Sequence, residues 1–145
     1  MGAVPRFLLR LAYDGTRYVG WQRQPNGISV QQCVEEALAP LAGGLVVTTG
    51  AGRTDSRVHA LGQAAHVDLP HAVPADVLAR ALNSRLPADI RVRHAEHVPD
   101  DLHARFSAVS KTYRYRWLVS RVGLPLLERD AWRVPPPLDV AAMQD

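Results

Sequence analysis

The chain has 145 residues, of which 47% are hydrophobic and 21% charged, the composition of a globular protein able to bury one core rather than of a disordered chain. No apolar run reaches the roughly 18 residues of a membrane-spanning helix, residues 1–10 lack a signal-peptide layout, and the only cysteine, Cys33, excludes an intrachain disulfide and fits a reducing cytoplasm. A formal charge of +3 and an isoelectric point near 9.5 are compatible with a polyanionic partner without requiring one.

Residues 6–13 alternate around Phe7, Leu9 and Leu11 and predict a strand. Asp14-Gly15 and Asn26-Gly27 predict turns, and the polar and aromatic stretch between them reads as a loop. Ser29-Val30-Gln31-Gln32 has the form of a capping box. The helix it opens places Val30, Cys33, Val34, Ala37, Leu38 and Leu41 on one face and ends at Gly43-Gly44. Short β-branched residues 45–49 predict a second strand, and residues 63–69 a third with Ala65, Val67 and Leu69 on one face. Pro74 sits at the first turn of another helix, whose apolar stripe is Val77, Leu78, Ala81 and Leu82. Residues 90–98 and the aromatic run 112–119 predict two more strands.

The resulting order is strand, helix, strand, strand, helix, strand and an extra strand. It predicts an α+β, ferredoxin-like split βαβ domain with an antiparallel sheet and helices on one face. Pro135-Pro136-Pro137 forms a stiff spacer, and residues 138–143 begin a helix too short to stabilise itself. The expected layout is therefore a first domain over residues 1–134, with residues 135–145 as linker and start of a truncated second one.

Three blocks carry chemistry. The first is Tyr13-Asp14-Gly15 with Tyr18, Gly20-Trp21-Gln22-Arg23-Gln24 and Ser29-Val30-Gln31. The second is Ala51-Gly52-Arg53-Thr54-Asp55 with Val58-His59-Ala60 and Gly62-Gln63. The third runs from Asn83 through Leu86-Pro87, Asp89-Ile90 and Asp100-Asp101 to His103-Ala104-Arg105-Phe106-Ser107-Ala108 and Tyr113-Arg114-Tyr115. In this order and at these separations they resemble the tRNA pseudouridine synthase A family over nearly the whole chain.

The resemblance implies an enzyme that isomerises uridine to pseudouridine in the anticodon stem-loop of tRNA (tRNA positions 38–40). It places the catalytic aspartate on Asp55, the active-site tyrosine on Tyr113 and the arginine beside the aspartate on Arg53. Trp21, Arg23, His103, Arg105 and Phe106, with Tyr113, are the implied substrate-binding residues. It further implies no metal or organic cofactor, no membrane association, a cytoplasmic location and a homodimer, with a second half of the enzyme absent from this chain.

The chemistry suits these residue types. Pseudouridine formation breaks the bond from uracil N1 to the ribose, turns the base and rejoins it through carbon, with nothing oxidised and no water consumed. It needs an ionised carboxylate as nucleophile or proton acceptor. Water exclusion penalises that charge, and a guanidinium on Arg53 or Arg105 opposes the penalty. The plain alternative for Asp55 is a turn cap; the flanking motif favours catalysis. Extruding a uridine costs a few kcal/mol, of which an aromatic ring returns roughly 1–3 kcal/mol. Tyr113 is the ring implied by the resemblance, and its hydroxyl is a candidate acceptor for the C5 proton. Tyr115 and Trp117 read as core aromatics.

Arg17, Arg23, Arg105, Lys111, Arg114 and Arg116 form a set suited to phosphates, which position RNA without reading its sequence. Trp21 either stacks on a base or anchors its loop. His103 reads as loop architecture before RNA contact, and Cys33 as a small buried hydrophobe. The six histidines lack metal-site spacing. Where the family continues its aspartate motif with a small residue and glycine, this chain has Ser56-Arg57. If the loop requires a positive φ at the second position, an arginine there carries strain that glycine avoids; the alternative is that Arg57 adds a phosphate contact. The competing readings are a non-catalytic RNA-binding module and an inert fragment. The first is disfavoured because Lys111-Thr112-Tyr113 lacks the glycine of an RNP1 segment.

Overall fold

A computed structural model describes residues 4–144. The chain divides into two compact units, one ending at Val109 and the other beginning at Ser110.

The first unit is built on β1 (Arg6–Tyr13), whose alternation is the simplest part of the fold to explain. Phe7, Leu9, Leu11 and Tyr13 are buried on one face, and Leu8 on the other. With both faces covered, β1 is the central strand. It pairs antiparallel with β3 (Ala60–Asp68) on one side and β4 (Ile90–Val98) on the other. The two-residue β2 (Thr49–Gly50) pairs antiparallel with β3, so the order across the sheet is β2-β3-β1-β4. This is the expected split βαβ plan: α1 (Val30–Ala42) links β1 to β2, and α2 (Ala75–Arg85) links β3 to β4. Val30, Val34 and Leu38 of α1 and Leu78 and Leu82 of α2 join Phe7, Leu9 and Leu11 in one core, which puts both helices on the same face.

Ser29 caps α1, its Oγ accepting from Gln32 N at 3.1 Å, a contact typically worth about 1 kcal/mol. The capping box is only half made, because Gln32 Nε2 turns along the helix to Glu36 Oε1 at 2.9 Å. Gly43 closes the helix with φ 74, the left-handed cap that glycine adopts without a Cβ clash. Cys33 and Leu41, expected in the buried stripe, are half-buried at its margin.

Four expectations are corrected. Residues 45–49 do not form a strand; only Thr49 pairs, because α1 side chains take the backbone groups of Thr48. Gln31 Nε2 donates to Thr48 O at 2.8 Å, and Thr48 N donates to Glu35 Oε2 at 2.8 Å. Leu45 and Val47 consequently stay exposed. The stripe of α2 is rotated by part of a turn: Ala75, Leu78, Ala79 and Leu82 face the core, while Val77 is exposed. Leu78 and Leu82 set the centre of the face, and positions 75 and 79 each lie three residues before one of them, on the same face.

The other two corrections fall in the second unit. Of the run 112–119, only β5 (Trp117–Val119) is strand. It pairs with β6 (Trp132–Val134), an element missed in the sequence, in parallel. Among the described residues, 110–115 have no backbone partner, and a strand without a ladder has nothing to hold it extended. Tyr115 and Trp117 are therefore exposed rather than core aromatics. The unit closes with the short α3 (Val140–Met143), capped by Asp139. No helix among the described residues is long and apolar enough to cross a membrane.

Candidate active site

The segment carrying Arg53, Thr54 and Asp55 joins β2 to β3 and is irregular, yet its backbone is held at several points. Ala51 N donates to Ala64 O at 2.8 Å, and Gln63 Nε2 donates to Gly52 O at 2.6 Å, so β3 fixes its start. The loop after β1 fixes its middle. Trp21 N donates to Thr54 O and Arg57 N to Tyr18 O, each at 3.1 Å. Tyr13, whose hydroxyl lies 2.8 Å from Thr54 Oγ1, adds a side-chain contact from the end of β1. Burial pushes the Tyr13 pKa up, with hydrogen bonding to Thr54 and Gln63 opposing it, so its hydroxyl is a neutral hydrogen-bonding group.

Two glycines make this crossing possible. A Cβ on Gly15 would lie 2.0 Å from Val58 O, and one on Gly20 would lie 2.4 Å from Thr54 O. Gly20 also has φ 93. The loop after β1 and the aspartate segment thus touch backbone to backbone, a closeness that no other residue permits.

Asp55 heads a tight turn in which Val58 N donates back to Asp55 O at 3.1 Å. Arg57 has φ 70, the only positive φ outside glycine among the described residues. A positive φ at the third position alone is the type II arrangement, which favours glycine there. The strain foreseen for Arg57 is present. Its effect is to turn the chain sharply just after Asp55, leaving that side chain exposed. Asp55, Arg53, Thr54 and Ser56 line an open cleft of about 480 Å³, with Val19, Gln22, Gln24 and Asn26 opposite. The volume lies within the range of about 300–1,000 Å³ usual for small-molecule sites. Among the described residues neither Arg53 nor Asp55 has a side-chain hydrogen bond or ion pair with the protein.

The remaining expected site residues divide into groups. Trp21 is 1% exposed; its ring stacks at 6.5 Å on Tyr13 and lies against Gly50. Of its two possible roles it takes that of loop anchor, and it presents no face to a base. Arg23 lies between the cleft residues Gln22 and Gln24 in sequence but is not part of the lining; its Nε and Nη2 donate to Glu35 Oε1 at 3.1 and 3.0 Å. That carboxylate is buried. His103, Arg105 and Phe106 lie together in the turn after β4. His103 Nδ1 accepts from Arg105 N and Phe106 N at 3.1 and 3.2 Å, its ring stacks on Phe106 at 4.3 Å, and the Arg105 guanidinium lies 5.7 Å over the same ring. His103 therefore builds the loop, as expected. Arg105 and Phe106 are exposed. Tyr113, with Lys111, Arg114 and Arg116, belongs to the second unit; its ring is exposed. There Tyr115, Trp117 and Trp132, with Arg114, Arg116 and Asp130, line an open pocket of about 670 Å³.

Sequence reasoning missed Glu35 altogether, and it placed Tyr13, Gln31 and Gln63 in the motif blocks without giving them a role in the site's frame. For Glu35 the sequence signal is its i, i+4 spacing from Gln31 beside the apolar stripe of α1.

His59 Nδ1 is 2.9 Å from Gly15 N and 3.2 Å from Asp14 Oδ1. One nitrogen cannot both accept from the amide and donate to the carboxylate. The shorter contact, with an amide that must donate, favours the acceptor form.

An α+β split βαβ domain thus displays a carboxylate and a guanidinium from one irregular segment on an open cleft. Residues 11–107 match the family model described as tRNA pseudouridine synthase. The chain is 52% identical over 136 residues to the tRNA pseudouridine synthase A of Syntrophotalea carbinolica, covering 94% of this chain and 54% of that protein. It is 50% identical over 143 residues to the protein of that name from Afipia carboxidovorans, covering 98% of this chain and 58% of the relative. With the protein of that name from Paramagnetospirillum magneticum it shares 48% identity over 143 residues, covering 98% and 56%. The chain belongs to the tRNA pseudouridine synthase family. It spans a little over half the length of these curated relatives.

Proposed function

We propose that this chain supplies the aspartate-bearing half of a tRNA pseudouridine synthase acting on the anticodon stem-loop, with Asp55 as the catalytic carboxylate. The observation that carries the reading is the type II turn at residues 55–58, which spends backbone strain at Arg57 while leaving Asp55 exposed on a cleft. Strain of this kind, of about 1–3 kcal/mol, persists where surrounding contacts over-determine the conformation and is concentrated at functional sites. A simple turn cap would direct its carboxylate to a nearby backbone amide, and Asp55 makes no such contact among the described residues.

In this reading a uridine leaves its stack and Asp55 meets it at the sugar or the base. The N1–C1′ bond breaks, the base turns, and C5 bonds to C1′. The C5 proton is then removed and N1 gains a proton, so no oxidant or water enters the balance. Arg53, next but one to Asp55, opposes the cost of closing water away from the carboxylate. Tyr113 stacks on the extruded base and its hydroxyl serves as acceptor for the C5 proton. Arg105 and Phe106 contact the RNA, and Arg23 adds charge beside the cleft. Residues 135–145 lead into the remaining part of the synthase, which functions as a cytoplasmic homodimer without metal or organic cofactor.

The test is incubation of unmodified tRNA with this chain, and with the chain extended beyond Asp145 to its relatives' length, followed by mapping of pseudouridine in the anticodon arm. The extended protein is expected to modify it. Asp55→Asn is expected to abolish turnover while changing tRNA affinity less than about threefold, because one uncharged isostere removes the chemistry and few contacts. Retained turnover in that variant removes Asp55 from its role. Binding without turnover by every wild-type form favours a non-catalytic RNA-binding chain.

A further inference from the structure

The face of the sheet opposite the helices carries a small second core of Leu8, Val98 and Ala104, with Ala51, Ala64 and Leu102 against it. This core joins two functional segments: Ala51 begins the aspartate loop, and Ala104 lies in the turn that displays Arg105 and Phe106. In its midst is His66 of β3, 6% exposed, paired across the sheet with Leu8 on β1 and Thr49 on β2. Neither the motif reading nor the proposed chemistry uses it.

We infer that His66 is a positioning residue whose neutral imidazole holds the Arg105–Phe106 turn in its RNA-binding form. Its Nδ1 accepts from Ala104 N at 2.9 Å in a buried setting. The ring also meets His103 edge-on at 4.7 Å, and His103 Nδ1 in turn accepts from the next two amides, Arg105 N and Phe106 N. Two imidazoles therefore terminate three successive backbone N–H groups. The turn is closed below by His103 O, which accepts from Ser107 N at 2.8 Å, and by Ser107 Oγ, which accepts from His103 N at 2.9 Å. An acceptor at Nδ1 requires the neutral ring, with its proton on Nε2.

The charged and titratable groups around His66 favour that form. Arg6 from β1 opposes protonation and is itself committed, donating to Leu102 O at 2.7 Å and to both oxygens of Asp68. His103 opposes it as well, and Asp68 on β3 alone favours the cation. Burial adds the largest push, so the His66 pKa lies below the ordinary histidine range. Protonation would put an N–H against the Ala104 N–H and release the turn.

The inference rests on the tRNA-binding reading of Arg105 and Phe106, and the experiment separates the two. Amide exchange of Ala104, Arg105 and Phe106 is measured by nitrogen-15 NMR on this chain, and tRNA affinity on the same samples. His66→Leu removes the acceptor and keeps the apolar contacts; His66→Asn restores an acceptor oxygen. His66→Leu is expected to lose Ala104 protection by about tenfold, the scale of one hydrogen bond, while Leu9 and Val67 amides stay protected. tRNA affinity is expected to fall by about three- to tenfold in the leucine variant, with most of both effects recovered in the asparagine variant. The wild-type turn is expected to lose protection as pH falls below the His66 titration, and the asparagine variant not to. Protection of Ala104 unchanged in His66→Leu overturns the proposal, as does equal loss in the two variants. Loss of protection with tRNA affinity unchanged overturns the RNA role of the turn. No tRNA binding by the wild type, with the exchange pattern as expected, overturns the functional reading and supports the anchor.

Discussion

Replacing Glu35 by alanine tests the frame of the cleft most directly. Glu35 is 3% exposed and Thr48 2%, and the carboxylate serves both sides of the α1–β2 connection. Oε2 accepts from Thr48 N at 2.8 Å and from Thr48 Oγ1 at 3.1 Å, and Oε1 accepts the two bonds from Arg23. Alanine strands the buried Thr48 N–H, at about 1–3 kcal/mol. It also removes the charge-assisted bonds to Arg23, worth less than their buried value because the Arg23 side chain is 41% exposed. The expected loss is about 3 kcal/mol, or roughly 12–20 °C in Tm for a unit of this size. Glu35→Gln keeps an acceptor for Thr48 but sets its amide against the guanidinium, and is expected to cost about 1–2 kcal/mol. Arg23→Ala leaves the carboxylate bonded to Thr48 and is expected to cost about 1 kcal/mol. Urea unfolding followed by far-ultraviolet circular dichroism gives all three. An Arg23→Ala loss equal to that of Glu35→Ala would refute the reasoning, since the argument assigns most of the cost to the stranded amide.

Other expectations follow from backbone geometry and burial. Arg57→Gly relieves a left-handed residue, worth about 1–2 kcal/mol, less about 0.4–1 kcal/mol for the freer unfolded chain; a denaturation midpoint below wild type would count against the strain. Gly20→Ala drives a Cβ towards Thr54 O and is expected to cost about 2–4 kcal/mol, with loss of Trp21 N–H protection in amide exchange marking the site of damage. His66 is harder to protonate folded than unfolded, so stability is fully present above the ordinary histidine pKa of about 6.5. It is lost as pH falls through the depressed folded value. Urea midpoints measured downward from pH 7 should show the fall, and His66→Asn should lack that part of it.

Legibility tracked the range of the interaction that decides each element. The alternation of Phe7, Leu9 and Leu11 and the stripe around Val30, Val34 and Leu38 are local patterns set by one buried face, and they placed the central strand and first helix with little error. The positive φ at Arg57 came from a different source: it was only a condition raised by the glycine that the resembled family has at that position, and the structure meets it. Residues 45–49 and 112–119 have strand composition, but a strand needs a partner that no local pattern supplies. In the first case two α1 side chains claimed the ladder groups of Thr48. In the second, only Trp117–Val119 found a neighbour, on a segment near Trp132 that composition did not mark.

The same distinction explains which parts of the site escaped notice. Asp55, Arg53 and Arg105 are exposed, and it was the resemblance of their sequence blocks to the family, not residue type or spacing, that marked them. Gln31, Glu35, Gln63 and His66 act inward, each giving an acceptor or donor to backbone that no helix or sheet completes: Thr48, Arg23, Gly52 and Ala104. Loops at a catalytic surface must leave regular structure, and every N–H and C=O they bury then needs a side-chain partner or becomes a cost of about 1–3 kcal/mol. A fold that displays its carboxylate on an irregular turn therefore needs buried polar residues beneath it. Their positions are dictated by the path of the loops they complete, which is why periodicity along α1 or β3 does not single them out.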